Sequence, residues 1–291
     1  MSTRILVAGI PRGGTTWIGA ALAAAPGATY VHEPDNWASD ALAFLSQREV
    51  GRFPVLAVED QAPVYDLVWR LAMRGGWPAR GAVATGRELA CRLPRRLAPP
   101  ALLTVARIGA RRAPLAETVV TKTVQGLGSL EWLAGRHADA VVVIRADSRS
   151  VASSWRTLGW GSGYIDASWF GRHRPDLLER AGGWPDDEIG QVAVAIGALQ
   201  TLRDEACARH PDWVVISHED LCREPLDGFR QLFDRLGLVF DSGVEDYITR
   251  SDVPGEGLDT RRRTAEQPDR WRRLPAGELA RVEAILSRFS L

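Results

Sequence analysis

The amino-acid sequence predicts an α/β fold, a central parallel sheet covered by helices on both faces, in one domain of 291 residues. Three observations predict it. Short apolar runs alternate with segments of helical periodicity along the chain. No repeat or low-complexity tract breaks the alternation. One long segment, 37–117, is mostly helical in pattern and reads as an insertion between the second and third strands.

The elements follow in order. Residues 4–10 (Arg-Ile-Leu-Val-Ala-Gly-Ile) are an apolar run of strand length, and 15–25 form an alanine-rich helix stopped by Pro26 and Gly27. A second strand is expected at 28–32. Within the insertion, 59–74 has the clearest helical pattern, and the many arginines of 37–117 make the insertion either a solvated helical face or the wall of an acceptor site. Strands are then expected at 118–121, 139–145 and 213–217. Helices are expected at 127–136, 147–158, 185–209, 224–236 and 275–289. Residues 159–175, opening Gly-Trp-Gly-Ser-Gly-Tyr, are rich in glycine and aromatics and read as a mobile loop, a candidate lid.

Composition narrows the class. The chain is 45% hydrophobic and 25% charged, with a net charge of zero, so it carries no broad field for nucleic acid. Cys91, Cys207 and Cys222 have no metal-like spacing, and an odd number argues against a disulfide framework. No apolar stretch approaches the length of a transmembrane helix, and the N-terminus runs directly into the first strand. A cytoplasmic protein is expected, with the oligomeric state open. Lys122 is the only lysine among 36 basic residues, a bias expected of a GC-rich genome.

Chemistry concentrates where strands end. Residues 9–16 (Gly-Ile-Pro-Arg-Gly-Gly-Thr-Thr) have the glycine spacing and the final hydroxyl of a phosphate-binding loop, with Thr15 in the position of the usual lysine. Strand, glycine turn and helix follow one another, so the helix N-terminus would present N–H groups to an anion. This makes the expected fold a P-loop-type three-layer α/β/α sandwich. Without the lysine that grips a γ-phosphate, the loop suggests a donor other than ATP. His32-Glu33-Pro34, Lys122, Arg145 and His218-Glu219-Asp220 fall at the other strand ends, and ligands of open parallel sheets bind at that rim. Arg145 and Ser153, two turns into the next helix, could hold a phosphate together; Arg145 could equally pair with Asp147.

The combination resembles the PAPS-dependent sulfotransferases, whose donor is 3′-phosphoadenosine 5′-phosphosulfate. Pro11-Arg12-Gly13-Gly14-Thr15-Thr16-Trp17 is similar to that family's loop for the 5′-phosphosulfate. Arg145 and Ser153 match its R-x7-S element for the 3′-phosphate. His218-Glu219-Asp220-Leu221 with Pro225 matches a recurring Y-E-D-L…P segment, His218 replacing the tyrosine near the adenosine. The resemblance implies donor binding by Arg12, Gly13, Gly14, Thr15 and Thr16, and stacking of Trp17 on adenine unless it is a core tryptophan. One of Arg261, Arg262 and Arg263 would cover the 3′-phosphate.

The same resemblance assigns the chemistry. PAPS has no γ-phosphate, and no metal is expected. Lys122 fits a donor to the leaving oxygen, and Arg12 replaces a more usual lysine. Cytosolic members place a histidine base where this chain has Val124, so the base must come from elsewhere. Carbohydrate and tyrosylprotein sulfotransferases carry an E-P pair with glutamate as base. Glu33-Pro34 matches it, and a Glu33 crowded by a sulfuryl donor and partly desolvated would have its pKa raised towards neutrality. Glu33 could instead be a structural partner of Arg12 or Lys122, and His32 is the other candidate base. Side chains alternate along a strand, so only one of the pair is expected to face the site. The implied activity, in a bacterial setting, is sulfuryl transfer to a glycan, glycolipid or glycosylated metabolite, with a small phenolic natural product as the second acceptor class. The rivals are a P-loop kinase and a non-catalytic nucleotide-binding module.

Overall fold

The computed structural model describes residues 3–36, 41–75, 116–161, 165–255 and 263–289. Five parallel strands, β1 (Thr3–Gly9), β2 (Ala28–His32), β3 (Thr118–Thr123), β4 (Ala140–Arg145) and β5 (Val214–Ser217), form one sheet in the order β2-β3-β1-β4-β5. All four pairings are parallel. The register sets Val7 opposite Lys122, His32 opposite Lys122, and Arg145 opposite Ser217, so the carboxyl ends of the strands form one edge.

Period-two alternation sends each strand's side chains into two cores. Leu6, Ala8, Val141 and Val143 pack on one face with Trp69, Trp132 and Trp155; Ile5, Val7, Val142 and Ile144 pack on the other with Ile18, Phe229 and Phe233. A buried side chain of this size contributes roughly 1.5–3 kcal/mol. The second face is covered by α1 (Thr15–Leu22), α9 (His218–Arg223), α10 (Pro225–Leu236) and α11 (Ser242–Ser251). The first is covered by α3 (Pro63–Ala72), α4 (Leu130–His137), α5 (Ser148–Thr157), α8 (Glu188–Arg209) and α12 (Ala276–Leu286), with α2 (Ala41–Val50) beside α3. The three-layer arrangement expected from the sequence is present.

Local chemistry sets the helix ends. Asp147 caps α5 by accepting from the Arg149 and Ser150 amides, and Asp187 caps α8 through the Gly190 amide at 2.7 Å. Pro63 and Pro225 occupy first helical positions, where a missing N–H costs nothing.

One expectation is corrected. Most of the stretch expected as a mobile loop, 159–175, is ordered: α6 (Ala167–His173) is capped by Asp166, and α7 (Pro175–Ala181) follows. Trp169 and Phe170 are buried there, and the Trp169 indole donates to the Phe53 carbonyl at 2.9 Å. Trp169 and Phe170 are anchors, whereas Trp160 lines the cleft described below. Residues 162–164, Arg261, Arg262, Cys91 and the arginine-rich part of the insertion at 76–115 lie outside the described residues.

Candidate active site

The loop after β1 folds on itself and is strapped from outside. The Gly13 amide donates to the Ile10 carbonyl at 2.9 Å, and the Trp155 indole donates to the Pro11 carbonyl at 2.9 Å. Gly14 has φ 84°, and a Cβ there would lie 2.0 Å from the His218 ring, so both conformation and space require glycine. α1 begins at Thr15 with no side-chain cap, leaving its N-terminus open to an anion from the cleft. Arg12 Nε donates to Ser154 Oγ at 3.2 Å. Arg270 donates to the Arg12 carbonyl (3.2 Å), the Ser150 carbonyl (3.1 Å) and Gln267 Oε1 (3.3 Å), which ties the loop to α5.

A cleft of about 500 Å³ opens over this loop and has two halves. Pro11, Arg12, Gly14, Thr15, Thr16, Trp17, His218, Gln267 and Arg270 line the half above β1 and the α9 side. His32, Glu33, Asn36, Arg52, Phe53, Val124, Gln125 and Trp160 line the half above β2 and β3, with Lys122 between. Three described non-glycine residues have φ in the left-handed region: Arg12 (71°), Glu33 (42°) and Phe53 (54°). All three line this cleft, as strained residues at functional sites commonly do.

Glu33 and Lys122 are joined in an ion pair. Lys122 Nζ donates to Glu33 Oε1, and Asn36 Nδ2 donates to Glu33 Oε2 at 2.7 Å. The lysine side chain is 3% exposed and the glutamate 12%. Burial pushes the Glu33 carboxyl up, but the charge and hydrogen bond of Lys122, with Asn36 and His32, pull it further down. Paired with Lys122, the carboxyl is therefore held below its ordinary value. Burial dominates at Lys122 and lowers the ammonium, opposed by Glu33 and Asp35.

Strict alternation between His32 and Glu33 also fails. β2 ends at His32, and the left-handed turn at Glu33 swings its side chain to the same side. His32 Nε2 is 3.9 Å from Glu33 Oε1, its Nδ1 is 3.2 Å from the Tyr30 hydroxyl, and burial followed by Lys122 lowers its pKa.

The remaining predicted residues divide. Trp17 is both core and wall: it is 7% exposed, donates to Ser251 Oγ at 2.8 Å, and meets Phe229 and His218 edge-on. His218 packs under Gly14 with Cys222 Sγ at 3.6 Å. Ser153 is buried and donates to the Arg270 carbonyl at 3.0 Å. Arg145 does not line the cleft; it pairs with Asp204 at 3.3 Å, neither solely solvated nor on Asp147. Arg263 is exposed and outside the lining. Arg270 was missed, although it opens the run Arg270-Trp271-Arg272-Arg273; Asn36 and Asp35, beside Glu33-Pro34, were missed because short polar residues in a turn carry no distinct signal.

No protein-family model matches the chain, and no curated protein matches its sequence. Solved structures superpose over most of the chain, three of them as follows. They are the sulfotransferase domain from the curacin biosynthetic pathway (12% identity, TM-score 0.49, covering 99% of this chain and 98% of that one), sulfotransferase STF1 from Mycobacterium tuberculosis H37Rv (14%, 0.48, 100% and 77%) and sulfotransferase STF9 from Mycobacterium avium (14%, 0.47, 97% and 75%). At these identities and scores, function has to be argued from the residues of the cleft.

Proposed function

We propose that this chain is a sulfotransferase that moves a sulfuryl group from PAPS to an acceptor hydroxyl. The observation that carries the reading is the buried Glu33–Lys122 pair at the junction of the two half-clefts, beside a phosphate loop that lacks its lysine. The donor's 5′-phosphosulfate sits against Thr15, Thr16 and the start of α1, a place suited to anions. The acceptor enters over Asn36, Phe53 and Gln125.

Glu33 takes the acceptor proton, the acceptor oxygen bonds to sulfur, and the sulfur–oxygen bond to the 5′-phosphate breaks. The products are the sulfated acceptor and 3′,5′-ADP. Lys122 moves its charge to the leaving oxygen. That movement releases Glu33 from the ion pair and raises its basicity at the moment a base is needed. Arg12 adds fixed positive charge, and preorganised charge is the main lever for transfers of this kind. Arg145 exchanges Asp204 for the 3′-phosphate, joined by Ser153, while His218 and Trp17 flank the adenosine.

The acceptor is a glycan, glycolipid or glycosylated metabolite. Phe53, Val124 and Trp160 give the acceptor half an apolar wall, which favours a small phenolic natural product as the second reading. A screen with labelled PAPS across sugars, lipids and phenols tests the proposal. Label should pass to one class with wild-type protein and not with Glu33→Ala, which should still bind 3′,5′-ADP. Transfer at the wild-type rate by the variant would remove Glu33 as base. A P-loop kinase would instead label acceptors from ATP, and a binding module would bind PAPS without turnover.

A further inference from the structure

The two oxygens of Glu33 have different partners. Lys122 Nζ donates to Oε1, and Asn36 Nδ2 donates to Oε2 at 2.7 Å. The proposed reaction draws Lys122 to the leaving oxygen and so strips Oε1 of that bond. Oε2 keeps its own, because Asn36 belongs to the same turn as the glutamate. The Asn36 amide donates to the Glu33 carbonyl at 3.0 Å, which closes a four-residue turn. Pro34 stands at its second position, where a fixed φ favours the bend.

The turn is also held from outside. The Glu33 amide donates to the Lys122 carbonyl at 2.9 Å, one residue past the β2–β3 pairing. The Asp35 carbonyl accepts from Gln47 Nε2 of α2 at 2.9 Å. Asp35 is buried, and its carboxyl accepts from Thr123 Oγ1 at 2.7 Å and from the Tyr65 hydroxyl at 3.3 Å. Asn36 therefore lines the cleft from a fixed backbone. Glu33 itself has a strained φ of 42°, and the bond from its own turn keeps its carboxyl aimed there.

We infer that Asn36 is a positioning residue for the base, holding Oε2 throughout the reaction and reserving Oε1 for the acceptor proton. This inference rests on the sulfotransferase reading above. A side-chain amide suits the task, since it donates without carrying charge and does not titrate. The acceptor proton passes to Oε1, the acceptor oxygen bonds to sulfur, and the bond from sulfur to the 5′-phosphate oxygen breaks. Asn36 exchanges no proton in that step. A base oriented by a further fixed group is the general arrangement of proton-accepting sites.

A hydrogen bond donated to the ionised carboxyl favours that form. The other titratable groups that face Glu33 are Lys122 of β3, Tyr30 and His32 of β2, and Asp35 of the turn. All of them stay in place when Asn36 is replaced, so a change at Glu33 reports the amide.

Asn36→Ala should lower kcat about tenfold or more and leave 3′,5′-ADP affinity within twofold. It should also move the acid limb of the kcat/KM–pH profile up by about one pH unit. Asn36→Asp keeps the shape but sets a second carboxylate against the first, and should move the limb further in the same direction. Carboxyl 13C NMR titration of the full chain, with Glu33 assigned by Glu33→Gln, reads the shift without turnover: the Glu33 midpoint should rise in both variants. A purely structural Asn36 would lower the melting temperature and leave limb and midpoint unmoved, and that result would overturn the inference. Absence of sulfuryl transfer by the wild type, with the midpoint shifts as expected, would instead overturn the sulfotransferase reading and leave the hold of Asn36 on Glu33 standing. If Asn36→Ala does not fold, Asn36→Asp alone decides, and an unmoved Glu33 midpoint contradicts the inference.

Discussion

Glu33 and Lys122 neutralise each other in an ion pair, and the proposed reaction needs them apart. Replacing either has a distinct signature. Glu33→Gln keeps the shape and removes the base, so turnover should fall by about 10²–10⁴, the usual span for general-base catalysis, with 3′,5′-ADP affinity held within twofold. Lys122→Ala should lower kcat more than donor affinity in a transfer assay; the reverse pattern would make the lysine a phosphate anchor only. Arg145→Ala should weaken 3′,5′-ADP binding by about 1.5–3 kcal/mol, the value of a charge-assisted bond. Unchanged affinity would mean that Arg145 stays on Asp204 and that Arg270, already between Arg12 and Gln267, holds the phosphate. At this scale the sequence was legible where a motif fixes the backbone, as in the loop from Pro11 to Thr16. It was not legible at Asp35 or Arg270, because they are placed by contacts with Thr123, Ser150 and Arg12 that are distant in the chain.

Elements were read well where hydrophobic periodicity is strong and poorly where burial is local. All five strands fall within two residues of their expected bounds, because short runs rich in β-branched and apolar residues set them off from the helices, with β1 and β4 buried on both faces. α6, α7, α9 and α11 were not foreseen, and α2 only as part of a mostly helical insertion. α6 has only seven residues, and its two buried aromatics resemble a loop's composition as much as a helix face. The strand–loop–α1 unit carries the element-scale prediction. Gly14→Ala places a Cβ against the His218 ring at a φ of 84°, and the strain should cost about 1–3 kcal/mol of stability and abolish donor binding. Thermal unfolding checks the first part and calorimetry the second. Adding His218→Ala should relieve the contact but not the conformational strain, so stability should return only in part. Full recovery would show that crowding alone enforces the glycine.

Across the whole molecule the sheet order explains why the two halves of the cleft meet where they do. β1 is central, so its loop lies between β3, which brings Lys122 with Glu33 beyond it, and β4, whose following helix α5 braces the loop. The buried carboxyls also give stability an opposed pH dependence. Glu33 has a lowered folded pKa, so its contribution is present above the unfolded value and is lost as pH falls through the folded one. Asp35 is raised from 3.8 to about 6, so burying its charge costs stability above pH 6, on the order of 3 kcal/mol, and the cost fades as pH falls toward 4. Asp35→Asn should therefore be at least as stable as wild type at pH 7–8 and lose that advantage near pH 4 in thermal melts. A loss of stability at pH 8 would mean that the Thr123 and Tyr65 bonds outweigh desolvation.

The central claim is that the lysine-less loop serves a donor with a 3′-phosphate and no γ-phosphate. Calorimetric titration of the full chain with 3′,5′-ADP without metal, and with ATP–Mg²⁺, tests it without knowledge of the acceptor. The account predicts clear preference for 3′,5′-ADP, weakened by Gly14→Ala. Tighter binding of ATP–Mg²⁺ would contradict it.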